Sequence, residues 1–465
     1  MPRLVSLLGL GFGDCGKGVF TDALCRRWQV HTVVRFNGGA QAGHNVVLPD
    51  GRQHTFSQFA AGTLVPGVAT VLAYPVVVHP GALLVEHSRL QSMGVDDGLA
   101  RLFIDRRCRV NTPFHQAAGR LRELARGAAA HGSCGVGVGE TVHHALAHPE
   151  HTLHYGDLAR PALAMQKLQA IRRDLLPVFA ALCKSVANAA AIAAEHRLLA
   201  DAQLAEAWLE NIQNLLRYVP PSSAERIAAR LTRPGTVLFE GAQGVLLDEW
   251  RGFHPHTTWS SIHPRAVEAV AADYGCPARV EHLGVLRAYL TRHGAGPFPT
   301  ADAGLDVLPE PHNSDQGWQG RFRRGHPDGV LLRYALAATG RLDGLLVSHL
   351  DAFGHVPGLR WCEAYETTVP GEECQAAGWL APSGRVTSLP CSAREDLAHQ
   401  AALTDLLFRV RPVYQARTLT AAASLLERLE QAAACPIWFA SCGPSHEAVQ
   451  LRSQPITLND GFAIR

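Results

Sequence analysis

Gly9-Leu10-Gly11-Phe12-Gly13-Asp14-Cys15-Gly16-Lys17-Gly18 is the stretch whose reading decides the fold. The apolar run Leu4 to Leu8 before it reads as a strand, and Val19 to Trp28 after it reads as a helix. A glycine-rich turn between strand and helix points backbone N–H groups at an anion held on the helix N-terminus. Gly11 to Lys17 fits the first seven places of a phosphate-loop pattern, but Gly18 stands where that pattern carries a Ser or Thr for magnesium. Asp14 lies inside the loop. A carboxylate among phosphates is unfavourable unless it holds a metal or takes a proton. Lys17 is one of three lysines in a chain with 40 arginines. The stretch therefore reads as a nucleotide site with chemistry in it.

The chain has 465 residues, enough for two or three average domains or one large α/β unit with insertions. Its 47% hydrophobic and 18% charged content is that of a globular protein with ample core. A net charge of +2 implies no general attraction to nucleic acid or membrane. The 11 cysteines are scattered without a Cys-x-x-Cys pair, so neither a disulfide framework nor a zinc site is expected. The 24 histidines show no His-Glu-x-x-His or comparable spacing, and most are expected at the surface. The chain enters a strand at once and no apolar run reaches about 18 residues. We expect no signal peptide, no membrane span and a cytoplasmic location.

Short apolar runs recur at Leu4–Leu8, Thr32–Phe36, Thr70–Ala73, Val76–Val78, Leu102–Ile104, Thr236–Phe239, Gly344–Val347 and Ile437–Ala440. Helical patterns separate many of them, which predicts a doubly wound, mostly parallel sheet with helices on both faces. Asp14, Glu240, His349 with Asp351, and Ser441 each follow such a run. Ligands of open α/β sheets bind beyond the carboxyl ends of the strands, so four strands deliver polar groups to one crevice.

Arg35 to Asn45 repeats the arrangement: a strand, glycines, then Gln41 and His44. Asp plus His is an acid–base pair. Residues 132–139, Gly-Ser-Cys-Gly-Val-Gly-Val-Gly, form a third glycine-rich loop or a plain connector. Residues 161–218 read as helices, with Leu168, Ile171 and Leu175 on one face and Leu204, Trp208, Ile212 and Leu215 on another. Pro177 is expected to kink or end the first of them, and Pro220-Pro221 closes the region. Gln243 can read a purine edge or cap a turn. Thr257 to Ser261 suits phosphate or helix capping. Gly294 to Pro299 reads as a rigid turn, and Arg321, Arg323 and Arg324 suit anion recognition or a solvated charge run.

In this order the motifs resemble the adenylosuccinate synthetase family, the GTP-dependent ligases that join IMP to aspartate. Phe12-Gly-Asp-Cys-Gly-Lys-Gly18 is similar to the family's Trp-Gly-Asp-Glu-Gly-Lys-Gly. Asn37-Gly-Gly-Ala-Gln-Ala-Gly-His44 is similar to its Gly-Gly-x-Asn-Ala-Gly-His. Glu240 to Asp248, Thr291 to Thr300, Leu350-Asp351 and Ser441-Cys-Gly-Pro444 resemble further family stretches. Six motifs in the correct order cover nearly the whole chain.

The resemblance implies one α/β domain over 1–465 with a helical insertion near 161–230, and a homodimer. It implies that Asp14 takes the N1 proton of IMP while O6 attacks the γ-phosphate of GTP, with His44 as the acid. Lys17 would offset phosphate charge and Gln243 would orient the 6-oxo group. Magnesium would be held by Asp14 and the Gly43 carbonyl. Gly13, Cys15, Gly16, Gly18, Asn45, Arg323, His349, Asp351, Ser441 and Gly443 would line the GTP site, with Asp351 reading guanine. Gln41, Ala42, Cys134, Thr258, Gly317, Trp318, Gln319 and Arg321 would contact IMP or the amino acid.

The chain departs from the family in its recognition residues. Trp318-Gln319 stands where the family has two threonines that hold aspartate, and His349 where it has a lysine at the guanine site. Cys134 aligns with a threonine that contacts the IMP phosphate. The arginine expected from a neighbouring subunit falls near His148, and Cys15 and Asn45 replace Glu and Thr. Three readings follow: the IMP–aspartate ligase itself; a divergent ligase for another amine or purine nucleotide; or a nucleotide-binding regulator without catalysis. Retention of Asp14, Lys17, His44 and Gln243 weighs against the last.

Overall fold

The computed structural model describes residues 2–452 except 185, 187, 188, 202, 277, 314, 316, 368–378 and 380–383. Its strands are β1 (Arg3–Gly9), β2 (Val30–Arg35), β3 (His44–Val47), β4 (Gln53–Phe56), β5 (Ala69–Leu72), β6 (Val77–Val78), β7 (Leu102–Ile104), β8 (Arg109–Val110) and β9 (Thr236–Gly244). They continue with β10 (Val280–Arg287), β11 (Leu290–His293), β12 (Phe322–Gly325), β13 (Gly344–Ser348), β14 (Cys362–Thr367), β15 (Val410–Tyr414), β16 (Ile437–Ser441) and β17 (Val449–Leu451). Nine of them form one sheet in the order β17-β16-β13-β10-β1-β9-β2-β5-β7. Only the β16–β17 pairing in that sheet is antiparallel. The strand furthest inside carries the first glycine loop, since β1 pairs in parallel with both β10 and β9.

A sheet buried on both faces explains the near-continuous apolar runs. Along β1, Leu4 and Leu8 join one buried cluster while Val5 and Leu7 join another, so alternate side chains feed cores on opposite faces. The expected helix is α1 (Lys17–Arg27), and α2 (Pro80–Gln91), α3 (Pro113–Arg126) and α4 (Val138–Ala147) follow. Residues 161–231 form α5 (Pro161–Cys183), α6 (Ala189–Ala200), α7 (Leu204–Tyr218) and α8 (Ala224–Leu231). Leu168, Ile171 and Leu175 of α5 and Trp208, Ile212 and Leu215 of α7 share a core with α3 and with Leu72 and Ile104 of the sheet edge.

Several sequence expectations are corrected. Pro177 does not end α5, which runs through it to Cys183. Val77–Val78 leaves the main sheet and pairs with Arg109–Val110. The strand at 236 continues past Phe239 to Gly244, completely buried. The central strand β10 has no counterpart among the apolar runs, because Glu281, His282 and Gly284 interrupt its pattern. The interruption is resolved inside the sheet, where His282 Nδ1 lies 2.7 Å from the Ser6 hydroxyl on the neighbouring strand. Six of the 24 histidines, His44, His54, His115, His144, His282 and His326, are buried, and the others are at least partly exposed.

Among the described residues no helix is long and apolar enough to cross a membrane. The ten cysteines there are free.

Candidate active site

The first glycine loop leaves β1 at Gly9 and delivers α1 with Gly16 as its N-cap, at φ 86°. The helix N-terminus therefore faces the crevice beyond the strand ends. Lys17 is buried and folds back on the loop, donating to the Gly13 carbonyl at 2.6 Å and approaching Cys15 Sγ at 3.5 Å. Burial pushes the Cys15 thiol above its ordinary pKa, with Lys17 opposing. Gly18, the departure from the phosphate-loop pattern, has a steric cause. A Cβ there would sit 2.4 Å from the Asn45 carbonyl oxygen, so a Ser or Thr would push the β3 hairpin away. Gly244 is equally constrained: its Cβ would lie 2.0 Å from the Gly11 oxygen, which locks the end of β9 against the loop.

The second loop joins the first through β9. Asn37 accepts from the Ala242 N–H at 2.9 Å, and the Gly38 N–H donates to Ser260 Oγ at 2.7 Å. Gln243 Nε2 donates to the Ser260 carbonyl at 3.0 Å. This leaves its second N–H and its buried, unpartnered Oε1 for a ligand. Gln41 comes to the same place, since both amide side chains approach Gly38; Ala42 is buried beside it. The loop after β9 also holds Thr258, whose N–H and hydroxyl both donate to the Leu247 carbonyl.

His44 opens β3, and its Nδ1 lies 2.9 Å from Oε1 of Glu240, which is fully buried in β9. The other Glu240 oxygen accepts from the Ala61 N–H at 3.2 Å and stands 4.0 Å from Arg35 Nε. Burial would raise the Glu240 pKa, but His44, Arg35 and the Ala61 N–H outweigh it, so the group is ionised. Burial pushes His44 below its ordinary value, and Glu240 only partly offsets this. The resting ring is therefore neutral at pH 7, with a carboxylate at Nδ1 and a buried Nε2 that has no protein partner. Sequence reasoning placed Glu240 at the crevice without a role. A charged residue inside a buried strand was the available signal for one.

Asp14 is 38% exposed, and His293 Nε2 stands 3.7 Å from its Oδ2. The nearness of His293 to Asp14 is visible only in the fold, because the two are 279 positions apart in the chain. Asp14 offers a hard, accessible oxygen, and Gly43 is exposed at the second loop. A carboxylate and a carbonyl beside bound phosphates are the donor type that suits magnesium. Behind Asp14, Arg287 donates to its carbonyl at 3.2 Å and pairs with Glu310. Tyr289 also donates to Glu310, at 2.7 Å.

His349 follows β13 in the left-handed region at φ 58°, with Nδ1 2.7 Å from Ser348 Oγ. That hydroxyl in turn donates to the Cys15 carbonyl at 2.9 Å, which draws the end of β13 to the first loop. Burial, then Arg287, pushes His349 down to about 3, so it supplies no positive charge. Burial pushes the Asp351 carboxyl upward. Ser441 ends β16 and donates to the Gly443 carbonyl at 2.7 Å, and Ser445 bridges to Val47 of β3.

The predicted substrate loops also meet. Gly132 and Ser133 N–H groups donate to Glu123, and Arg120 donates to the Gly135 carbonyl. Cys134, between them, is half-buried, and burial raises its thiol pKa. Trp318 lies directly against Gly135, where a Cβ would be 2.6 Å from the indole, and the Arg120 guanidinium stands 5.5 Å over the ring. Gln319 packs its carbonyl against Gly132 and Gly294.

The arginine group is divided rather than pooled. Arg323 donates to the Gly294 and Gly296 carbonyls, both at 2.6 Å, bracing that turn. Arg321 is mostly exposed and 3.6 Å from Asp306, as Gly317 is exposed nearby. Asn45 accepts from Thr55 at 2.6 Å across the hairpin.

A family model for adenylosuccinate synthetase matches residues 6–450. The chain is 31% identical to the adenylosuccinate synthetase of Mycobacterium tuberculosis H37Rv over 471 aligned positions, covering 97% of this chain and 98% of that one. It is 32% identical to that of Nitrosomonas europaea over 456 positions, covering 96% and 97%. The fold matches the fully ligated adenylosuccinate synthetase of Plasmodium falciparum with a TM-score of 0.74 at 20% identity, covering 97% and 100%. It matches the cyanophage S-2L succinoaminodeoxyadenylate synthetase, solved with dGMP and dATP, with a TM-score of 0.58 at 15% identity, covering 97% and 96%.

Proposed function

This chain belongs to the adenylosuccinate synthetase family, and from that premise we propose that its crevice condenses IMP with L-aspartate through a 6-phosphoryl intermediate, with GTP as donor. It is a carbon–nitrogen bond-forming ligase of purine biosynthesis. The observation that carries the mechanistic reading is the meeting of Lys17, Gln243 and the His44–Glu240 pair around the loop that holds Asp14.

Asp14 accepts the N1 proton of IMP as O6 attacks the γ-phosphorus. The O6–P bond forms, the bond to the β-phosphate oxygen breaks, and GDP leaves. His44 is neutral at rest, but a polyphosphate at Nε2 and Glu240 at Nδ1 together favour the imidazolium. The ring then hydrogen-bonds the transferring phosphoryl group. Lys17 and the N-terminus of α1 offset the phosphate charge, and the free polar atoms of Gln243 hold the purine amide. The amine of aspartate next attacks C6, and inorganic phosphate departs with the C6–O bond electrons. Phosphoryl transfer of this kind is catalysed chiefly by positioning and charge stabilisation. Magnesium held by Asp14 and the Gly43 carbonyl would neutralise phosphate oxygens. The family also implies a homodimer.

Trp318 against Gly135 favours a second reading, in which the same activation serves another amine or purine nucleotide. The two readings separate on phosphate release from IMP, GTP and magnesium across a panel of amino acids with a no-amine control. Adenylosuccinate formed with aspartate alone establishes the first, and turnover with a different amine establishes the second. An Asp14→Ala variant with full turnover would sink both, whereas silence of the parent across every amine and purine nucleotide would leave the chain a nucleotide-binding regulator.

A further inference from the structure

α4 places His144 in its last turn and ends at His148, and His151 follows in the turn Pro149–His151. Histidines four apart share one helix face, a spacing that sequence reading passed over. α5 sets Asp174 opposite them. Its Oδ2 lies 3.1 Å from His144 Nε2, 2.6 Å from His151 Nδ1 and 3.9 Å from His148 Nδ1. Ligand atoms of His144, His148 and Asp174 all lie within 4.8 Å of one another. The His148 and His151 rings stack with centroids 5.9 Å apart.

We propose that His144, His148 and Asp174 form a three-ligand binding site for a divalent transition-metal ion of the zinc type, with a fourth position for water. Ligands about 2.0–2.2 Å from a tetrahedral ion stand roughly 3.3–3.5 Å apart, and the 3.1 and 3.9 Å distances from Asp174 Oδ2 to His144 and His148 bracket that spacing. Two imidazole nitrogens and one carboxylate oxygen select zinc, cobalt or nickel rather than magnesium. His144 and Asp174 are 2% and 15% exposed, which fixes them, while His148 is 41% exposed in the single chain. The electrostatics suit a cation. Glu150 lies 3.8 Å from His151, and the carbonyl end of α4 points at the cluster. The site sits at the opposite end of α4 from Val138, which packs on Gly39 of the second loop. A ten-residue helix separates those ends by about 15 Å.

The test uses the full chain stripped with a chelator. It is titrated with zinc by calorimetry and with cobalt by visible absorption, beside His148→Ala and Asp174→Asn. One zinc per chain, tetrahedral cobalt bands and an affinity about 100-fold lower in each variant are expected. His148→Ala removes an outlying side chain, and its metal-free melting temperature should match the parent's. Zinc should then raise the melting temperature of the parent and not of this variant. Absence of binding in the parent, or equal affinity in parent and variants, overturns the assignment.

Discussion

Replacing Glu240 by Gln tests whether the buried carboxylate behind His44 powers phosphoryl transfer. Gln keeps the shape and an acceptor for the Ala61 N–H, but removes the charge that favours the imidazolium. The closest approach of the two groups is 2.9 Å, and their delocalised charge centres are about 4–5 Å apart. At an effective dielectric constant near 20 that interaction is worth about 3–4 kcal/mol. This converts to roughly 2–3 pH units on the ring, so the alkaline limb of kcat should move down by that amount. At pH 7.5 kcat should fall about 10²- to 10³-fold, with KM for IMP nearly unchanged. Arg35 loses its carboxylate partner but keeps contacts to the Ser57 and Phe59 carbonyls at 3.4 and 3.3 Å, which limits the damage to folding. The assay is adenylosuccinate formation across pH 5.5–9 (about one point per half unit), beside circular dichroism and thermal melting. A folded variant with kcat within twofold of the parent, or one that loses only GTP affinity, refutes the reasoning.

Gly18→Ser completes the phosphate-loop pattern yet should lower both activity and melting temperature, because its Cβ meets the Asn45 carbonyl at 2.4 Å. Overpacking of this kind costs about 1–3 kcal/mol, and gain of activity in a steady-state assay would contradict it. Acid should destabilise the protein through its buried neutral histidines. A histidine whose folded pKa lies below its unfolded value takes a proton only on unfolding, so its stability is present above about 6.5 and lost as pH falls. Burial pushes His115 down to about 3, so that group alone costs about 2 kcal/mol between pH 6.5 and 5. His115→Gln keeps a capping-box residue behind Thr112, and its melting temperature should fall less over this range; parallel curves would count against the account. Trp318→Ala should change KM for the amino acid at least severalfold and leave KM for IMP and GTP steady. Equal shifts in all three would mean that the indole only braces the loop at Gly135.

The strand–loop–helix at residues 3–27, the strand runs and the alternation with helices were legible because they rest on local pattern. A glycine-rich turn behind an apolar run announces itself in ten residues. β10 was illegible for the opposite reason: His282 and Glu281 look like surface residues until Ser6 and Arg3 of β1 pair with them at 2.7 and 2.8 Å. α5 runs through Pro177 because packing on both sides of it can override a proline's local penalty in a helix. The sequence by itself pointed to the chemical inventory: Asp14, Lys17, His44 and Gln243, each in or beside a glycine-rich stretch that follows an apolar run. Only the tertiary structure decided that Glu240 ionises beside His44, that His293 stands by Asp14, and that three histidines gather on Asp174. Those pairings join residues dozens to hundreds of positions apart. Their charge states are set by burial and by partners that no local stretch of chain contains.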